Sequence, residues 1–300
     1  MSESLRPETV EEAAEMVREG GPFRIEGAGT KREFGCPLEG ACKTVSTLGL
    51  SGIVEWSPDD LVAVVRAGTH IEDLQSEFAT RNQWLPFPPG GNGIERLTAG
   101  LPGTAGGMVA ANLPTRWDGS TKGVRYWVLG MKVVLADGTI VKCGSKAVKN
   151  VAGYDVQKLM TGAWGTLGLI VEVILRVMPK PRPEDGETSP FPDSMTLGDD
   201  AEAWDGSLPL MIARAPIGES ADFARSLGHG RWVLDAGTGT VWASVAGCEL
   251  PAAPDDGWAF YAGTGKANFG DLGPNRDLAL GMKKALDPTR KFNPGILGLF

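Results

Sequence analysis

Histidine is nearly missing from this chain: there are two, His70 and His229, in 300 residues. They lie far apart in sequence, so neither a His-rich metal site nor a His-ligated haem is expected. Cysteine is also sparse, and Cys36, Cys42, Cys143 and Cys248 form no Cys-x-x-Cys pair, which gives iron–sulfur ligation no support. Basic charge is in deficit, with 29 Lys and Arg against 37 Asp and Glu. The net charge of −8 argues against a non-specific grip on nucleic acid or anionic membrane and turns attention to a small molecule or a protein partner. Long apolar runs are lacking too, because Asp, Glu, Lys or Gly interrupts every stretch that could span a bilayer. The opening MSESLRPETVEEA has neither a basic n-region nor an apolar h-region and reads as cytoplasmic, any membrane association being made through partners.

With 42% hydrophobic residues, the chain can bury one large core or two modest ones. Thr9 to Glu12 reads as a capping box, and Val10, Ala13, Ala14 and Val17 share a helical face that Gly20-Gly21 stops. Thr69-His70-Ile71-Glu72 repeats that pattern, with Ile71, Leu74 and Phe78 on one face. Apolar stretches from Ile53 to Trp56 and Leu61 to Ala67 read as packed strands. Val128 to Leu135 and Thr139 to Cys143 flank a tight turn at Ala136-Asp137-Gly138. Alternation from Leu167 to Val177, with Glu172 and Arg176 on the other side, predicts a long half-buried strand ending at Pro179. The Pro-rich, acidic segment from Pro179 to Pro192 then marks a linker. Beyond it, short strands at Leu208–Arg214, Arg231–Asp235, Thr240–Ala246 and Trp258–Tyr261, with a helix near Ser220–Leu227, make a small α+β unit in which Trp204, Trp232, Trp242 and Trp258 form a core or an interface. A helix from Asn275 to about Leu286 and a tail ending in Asn293-Pro294-Gly295 follow.

Three glycine clusters carry the chemistry. Gly27-Ala28-Gly29-Thr30-Lys31 follows a strand, but Arg32 holds the third glycine position of a Rossmann fingerprint and no helical period follows. An anion nest of backbone N–H groups fits this segment, the alternative being a plain surface turn. Gly103-Thr104-Ala105-Gly106-Gly107 is dense in residues that let a flat or phosphorylated group approach the main chain, or else it is a tightly packed loop and helix. The third cluster runs from Lys149-Asn150-Val151-Ala152-Gly153-Tyr154-Asp155 into Gly162-Ala-Trp-Gly165-Thr166-Leu167-Gly168-Leu-Ile170. Together they point to one extended cofactor touched by several loops.

In their order, GxGT, TxGGxxAxN, KNxAGYD, GxxGTLGxI and a terminal FNPG, these motifs resemble the FAD-binding fold of the vanillyl-alcohol oxidase and p-cresol methylhydroxylase superfamily. The KNVAGYD segment is most similar to the branch of glycolate oxidase subunits. The resemblance covers residues 5–180 well and the last twenty moderately. It implies an α+β, two-subdomain FAD-binding fold with a small truncated α+β cap: a FAD-binding domain at 1–180, a reduced cap or substrate domain at 181–266, and a C-terminal helix and tail at 267–300 returning to the first. It places Gly27, Ala28, Gly29, Thr30 and Lys31 around the FAD pyrophosphate and makes Gly103, Thr104, Gly106 and Gly107 a second FAD loop, continued by Gly119 and Ser120. Gly165, Gly168 and Ile170 would lie along the adenosine end, and Asn293 would return towards the flavin. Relatives with covalent flavin use His or Cys beside such a loop, where this chain has Thr30, so noncovalent FAD is expected.

The resemblance also implies a FAD-dependent oxidoreductase subunit for a glycolate- or D-lactate-type 2-hydroxy acid, partnered by a second flavoprotein subunit and an iron–sulfur subunit. Lys149 is the candidate cation near the flavin, with a surface lysine as the alternative. The scarcity of histidine favours a second possibility, a noncatalytic FAD-bearing subunit that passes electrons or braces a partner. A flavin reductase resembling UDP-N-acetylenolpyruvylglucosamine reductase is the third, against which KNVAGYD and FNPG argue.

Overall fold

The structure, a computed structural model, describes residues 4–86, 103–112, 114–117, 120–146, 155–180, 195–200, 210–228, 231–246, 249–269 and 275–298, with only the backbone at 114–117, 120–122, 195, 268 and 269. In chain order its elements are α1 (Val10–Glu19), β1 (Phe23–Glu26), β2 (Lys43–Ser46), β3 (Ile53–Ser57), β4 (Val62–Arg66), α2 (Ile71–Ala79), β5 (Gln83–Trp84), α3 (Ala105–Ala111), β6 (Pro114–Trp117), β7 (Ser120–Gly123), β8 (Val128–Val134), β9 (Ile140–Gly144), α4 (Val156–Met160), β10 (Leu169–Arg176), β11 (Met178–Pro179), β12 (Met195–Leu197), β13 (Leu210–Arg214), α5 (Ser220–Ser226), β14 (Trp232–Asp235), β15 (Thr240–Ser244), β16 (Trp258–Ala262), β17 (Lys266–Phe269) and α6 (Asn275–Leu286). Helices packed on antiparallel sheets make the chain α+β.

A five-stranded antiparallel sheet, ordered β3-β4-β10-β8-β9, forms the first core. Its companion α1 starts as its sequence dictates: Thr9 Oγ1 accepts the Glu12 N–H at 3.1 Å, and the Glu12 carboxylate accepts the Glu8 N–H at 2.9 Å. Val10, Ala13, Ala14 and Val17 then pack on Val134, Leu169 and Val171. The opposite face of the sheet carries α2 and α3, whose Ile71, Leu74, Phe78, Met108 and Val109 meet Ile170, Val173 and Leu175. Covered on both sides, β10 is buried from Leu169 to Leu175, only Arg176 keeping partial exposure, rather than half-buried as its alternation predicts. Glu172 is itself buried and pairs with Lys132 at 2.7 Å. A register shift between Ile170 and Glu172 lets Ile170 and Val173 share the α2 side.

The second capping box does not form. His70, exposed, is the N-cap of α2 and makes no side-chain cap, while the Thr69 hydroxyl donates to Arg66 O at 2.7 Å and accepts from Gly52 N at 2.9 Å. The predicted hairpin turn is present, with Gly138 at φ +82.

A small parallel pair, β1-β2, lies beside the first sheet, and a six-stranded antiparallel sheet ordered β12-β14-β15-β13-β16-β17 follows in the chain. One of its faces, with Met211, Ala213, Val241 and Tyr261, packs with residues of α5. The other presents Leu210, Ile212, Trp242 and Phe260 to Phe34, Trp164 and Leu297. Trp232 and Trp242 are buried in these two cores and Trp258 stacks edge-on against Phe260, whereas Trp204 lies outside the described residues.

Candidate functional site

A cleft opens at the end of β1, walled by residues 24–32, by Thr104, Gly106 and Gly107 at the start of α3, by Trp164, Gly165, Gly168 and Ile170 leading into β10, and by Asn293 of the tail. The loop after β1 turns twice, Arg32 N donating to Gly29 O and Phe34 N to Lys31 O, each at 3.2 Å, and Gly29 needs φ +71 to do so. Among the described residues, the N–H groups of Gly27, Ala28, Gly29 and Thr30 enter no hydrogen bond.

Close approach explains the other glycines. A Cβ on Gly27 would run into Oγ1 of Thr104, which caps α3 by accepting the Gly107 N–H at 3.3 Å. At Gly106 a Cβ would come within 2.8 Å of Ala67 Cβ, and the Gly106 N–H donates to Ala67 O at 2.8 Å, holding α3 against the end of β4. A Cβ at Gly168 would lie 2.5 Å from Val133 Cγ1. Gly107, by contrast, would meet only Thr104 Oγ1, so its bare edge faces the cleft.

Charge is placed asymmetrically. Arg32 pairs with Glu26 through both carboxylate oxygens, Nε to Oε2 at 2.8 Å. Lys31 donates to Thr30 Oγ1 at 3.3 Å and lies 3.9 Å from Met108 Sδ, and burial lowers its pKa to about 8. In the cleft wall, Trp164 packs between Phe34, with centroids 6.1 Å apart, and Phe260, at 4.6 Å, the rings tilted to one another in both pairs. Among the described residues no group of His, Cys, Asp and Glu side chains is arranged to hold a metal ion, and no helix is long and apolar enough to cross a membrane.

Of the residues singled out from sequence, Gly27, Ala28, Gly29, Thr30, Lys31, Thr104, Gly106, Gly107, Gly165, Gly168, Ile170 and Asn293 converge on this one cleft. Gly103 lies behind it, its carbonyl accepting the Ile71 N–H at 2.9 Å. Ser120 sits in β7 opposite Trp117, where only the backbone is described. Gly119 and Lys149 to Tyr154 lie outside the described residues. Asp155 is exposed and pairs with Lys158. Asn293 lines the cleft with its carboxamide engaged by protein: Oδ1 accepts from Ile25 N and Nδ2 donates to Trp164 O, both at 2.8 Å. Sequence reasoning passed over Phe34 and Trp164; the signal was an aromatic residue set among glycines in Gly162-Ala-Trp-Gly165.

The lining fits a long phosphorylated dinucleotide: several glycines bare the main chain, and one lysine ammonium sits in the wall. Residues 4–144 match the family model described as FAD binding domain. The chain is 35% identical over 176 residues to glycolate oxidase subunit GlcE of Escherichia coli K12, covering 58% of this chain and 47% of that protein. It is 32% identical over 166 residues to glycolate oxidase subunit GlcD of Bacillus subtilis 168, covering 53% and 32%. It is 31% identical over 176 residues to a D-lactate dehydrogenase of Archaeoglobus fulgidus, covering 57% and 36%. The matched part spans less than half the length of each of these relatives. The match of residues 4–144 to the FAD binding domain model and the similarity to GlcE make this a GlcE-like FAD-binding protein, with FAD as its cofactor.

Proposed function

We propose that the cleft is the FAD site and that the chain is the FAD-bearing subunit of a 2-hydroxyacid oxidase or dehydrogenase of the glycolate or D-lactate type. The observation that carries this reading is the convergence of Gly27–Lys31, Thr104–Gly107 and Gly165–Ile170, three segments far apart in the chain, on one cleft. Residues 27–30 offer main-chain N–H groups to the diphosphate and Lys31 adds the charge. Gly107 lets the cofactor lie against the start of α3. Bound FAD supplies two-electron redox chemistry. The flavin is held without a covalent bond: Thr30 occupies the loop position where a linking residue would stand, and Cys36, although it lines the cleft, sits 3.9 Å from Ala267 O. Lys149 is the proposed cation beside the flavin; an unchanged reduction potential in Lys149→Met would remove it from that role.

The 1–180, 181–266 and 267–300 division belongs to the same proposal, as do a second flavoprotein subunit and an iron–sulfur subunit as partners. Among the described residues the cleft carries no histidine. That favours a second reading, in which this chain holds FAD while a partner provides the base that takes the substrate's hydroxyl proton. The isolated chain should be yellow and release all its flavin on acid precipitation. Adding glycolate or D-lactate then separates the readings: bleaching of the flavin absorbance marks a self-sufficient enzyme, and inertness that a partner subunit relieves marks the carrier. A colourless protein that takes up no FAD on reconstitution would end both.

A further inference from the structure

Lys283, in the last turn of α6, is buried, although nothing in the proposed chemistry uses it. Its ammonium donates to Thr166 O at 2.6 Å, to Asp287 Oδ2 at 2.7 Å and to Phe292 O at 3.2 Å. Asp287, equally buried, accepts the Lys291 N–H at 2.8 Å and the Phe292 N–H at 2.9 Å. The pair thus shapes the tail from residue 287 to 292. One residue further on, Asn293 N donates to Phe23 O at 3.0 Å, and the Asn293 carboxamide ties Ile25 of β1 to the Trp164 carbonyl. Asn293 adopts φ +40, a left-handed conformation that asparagine tolerates better than other side chains.

These contacts meet at one place. The turn from Ala163 to Thr166 is gripped twice from the C-terminal segment, at Trp164 O by Asn293 and at Thr166 O by Lys283. Gly165, between the two grips, has φ +67, and a Cβ there would lie 2.9 Å from Asn293 Nδ2. Its lack of a side chain therefore serves the tail as well as the cleft. Ile25, Trp164, Gly165 and Asn293 all line the cleft, whereas Lys283 does not.

We propose that Lys283 is a positioning residue for the cofactor cleft: by holding Thr166 O and the Asp287-organised tail, it places the Trp164-Gly165 wall and the Asn293 amide so that FAD affinity depends on a side chain that never touches FAD. This rests on the reading of the cleft as the FAD site. A buried ammonium bound to three acceptors is costly to disturb singly, because removing it strands Asp287 as an uncompensated charge. Desolvation lowers the Lys283 pKa and Asp287 works against that shift, in keeping with an ion pair whose members depend on each other.

The test is FAD titration of the deflavinated full chain, with visible-region circular dichroism of the bound flavin as the second readout. In Lys283→Met/Asp287→Leu, which leaves no stranded charge, FAD affinity should fall by about tenfold or more, as expected for a lost charge-assisted hydrogen bond. The flavin dichroism should change shape, while Lys283→Arg recovers both. If the double variant fails to fold, Asn293→Ala removes the second grip without burying a charge and should show the same two changes. Affinity within about twofold of the parent, with unaltered dichroism, in a folded double variant or in Asn293→Ala, would overturn the proposal. A parent chain that takes up no FAD at all would instead sink the function reading.

Discussion

Burial in the cleft wall sets the Lys31 pKa at about 8, so the ammonium is destabilised where the proposed diphosphate site calls for a cation. In the cofactor-free chain, the unfolded state binds more protons than the native one between pH 8 and the ordinary lysine value of about 10.4, so Lys31 makes stability rise with pH across that window; below pH 8 the burial penalty is present in full. With the diphosphate beside Lys31 as proposed, FAD should reverse the preference by stabilising the charged form. Above pH 8 binding must take up a proton, and affinity should be flat below that value and then fall by up to about tenfold per unit. Lys31→Met should bind more weakly throughout and lose this dependence. Titrations of the cofactor-free protein from neutral to alkaline pH measure both, and identical profiles for parent and variant would remove Lys31 from the diphosphate. The residue was legible in sequence as the basic end of a glycine loop. Its perturbed charge was not, because Met108, one of the groups beside its ammonium, arrives from α3, 77 positions away.

At the scale of elements, α3 and the loop after β1 are built around one atom, Thr104 Oγ1, which caps the helix and leaves no room for a side chain at residue 27. Gly27→Ala must therefore shift the loop or rotate Thr104 off its cap. Loss of the cap costs about 0.5–2 kcal/mol, and displacement of the loop should weaken FAD binding by about tenfold or more. Thr104→Ala alone should cost about 1 kcal/mol of stability. In the double variant the two losses should add to less than their sum, because the collision is gone. Strictly additive losses in thermal melts and FAD titrations would show that the two residues do not meet. This contrast of local and distant causes also decides which elements the sequence disclosed. The α6 helix, with observed bounds Asn275–Leu286, and the turn at Gly138 follow from signals within the segment. The Thr69 cap and the solvent face of β10 failed because partners elsewhere overrule local pattern: Gly52 and Arg66 take the Thr69 hydroxyl, and on the side of β10 that alternation assigns to water Ile170 turns into the core with α2 and α3 while Ile174 packs with Val62 and Val64.

Across the whole molecule, the cap proposed at 181–266 is not free to behave as a separate body. Phe34 from the first loop, Trp164 from the cleft wall and Leu297 from the tail share one apolar cluster with Leu210, Ile212, Val233, Trp242 and Phe260 of the six-stranded sheet. The linker composition around Pro179 to Pro192 marks where the chain changes character, but it carries no information about which aromatic rings meet across that boundary. Phe260 lies 4.6 Å from Trp164, so the sheet braces the same turn that the tail grips through Asn293. Unfolding should then be a single cooperative transition, coincident in calorimetry and tryptophan fluorescence, and FAD should move it upward as one. Phe260→Ala should lower stability by about 3–5 kcal/mol and weaken FAD binding as well, since Trp164 loses its backing. Two resolved transitions, with only the earlier or the later one responding to FAD, would show instead that the second sheet folds independently of the cleft and that the shared aromatic cluster contributes little to holding the cofactor wall in place.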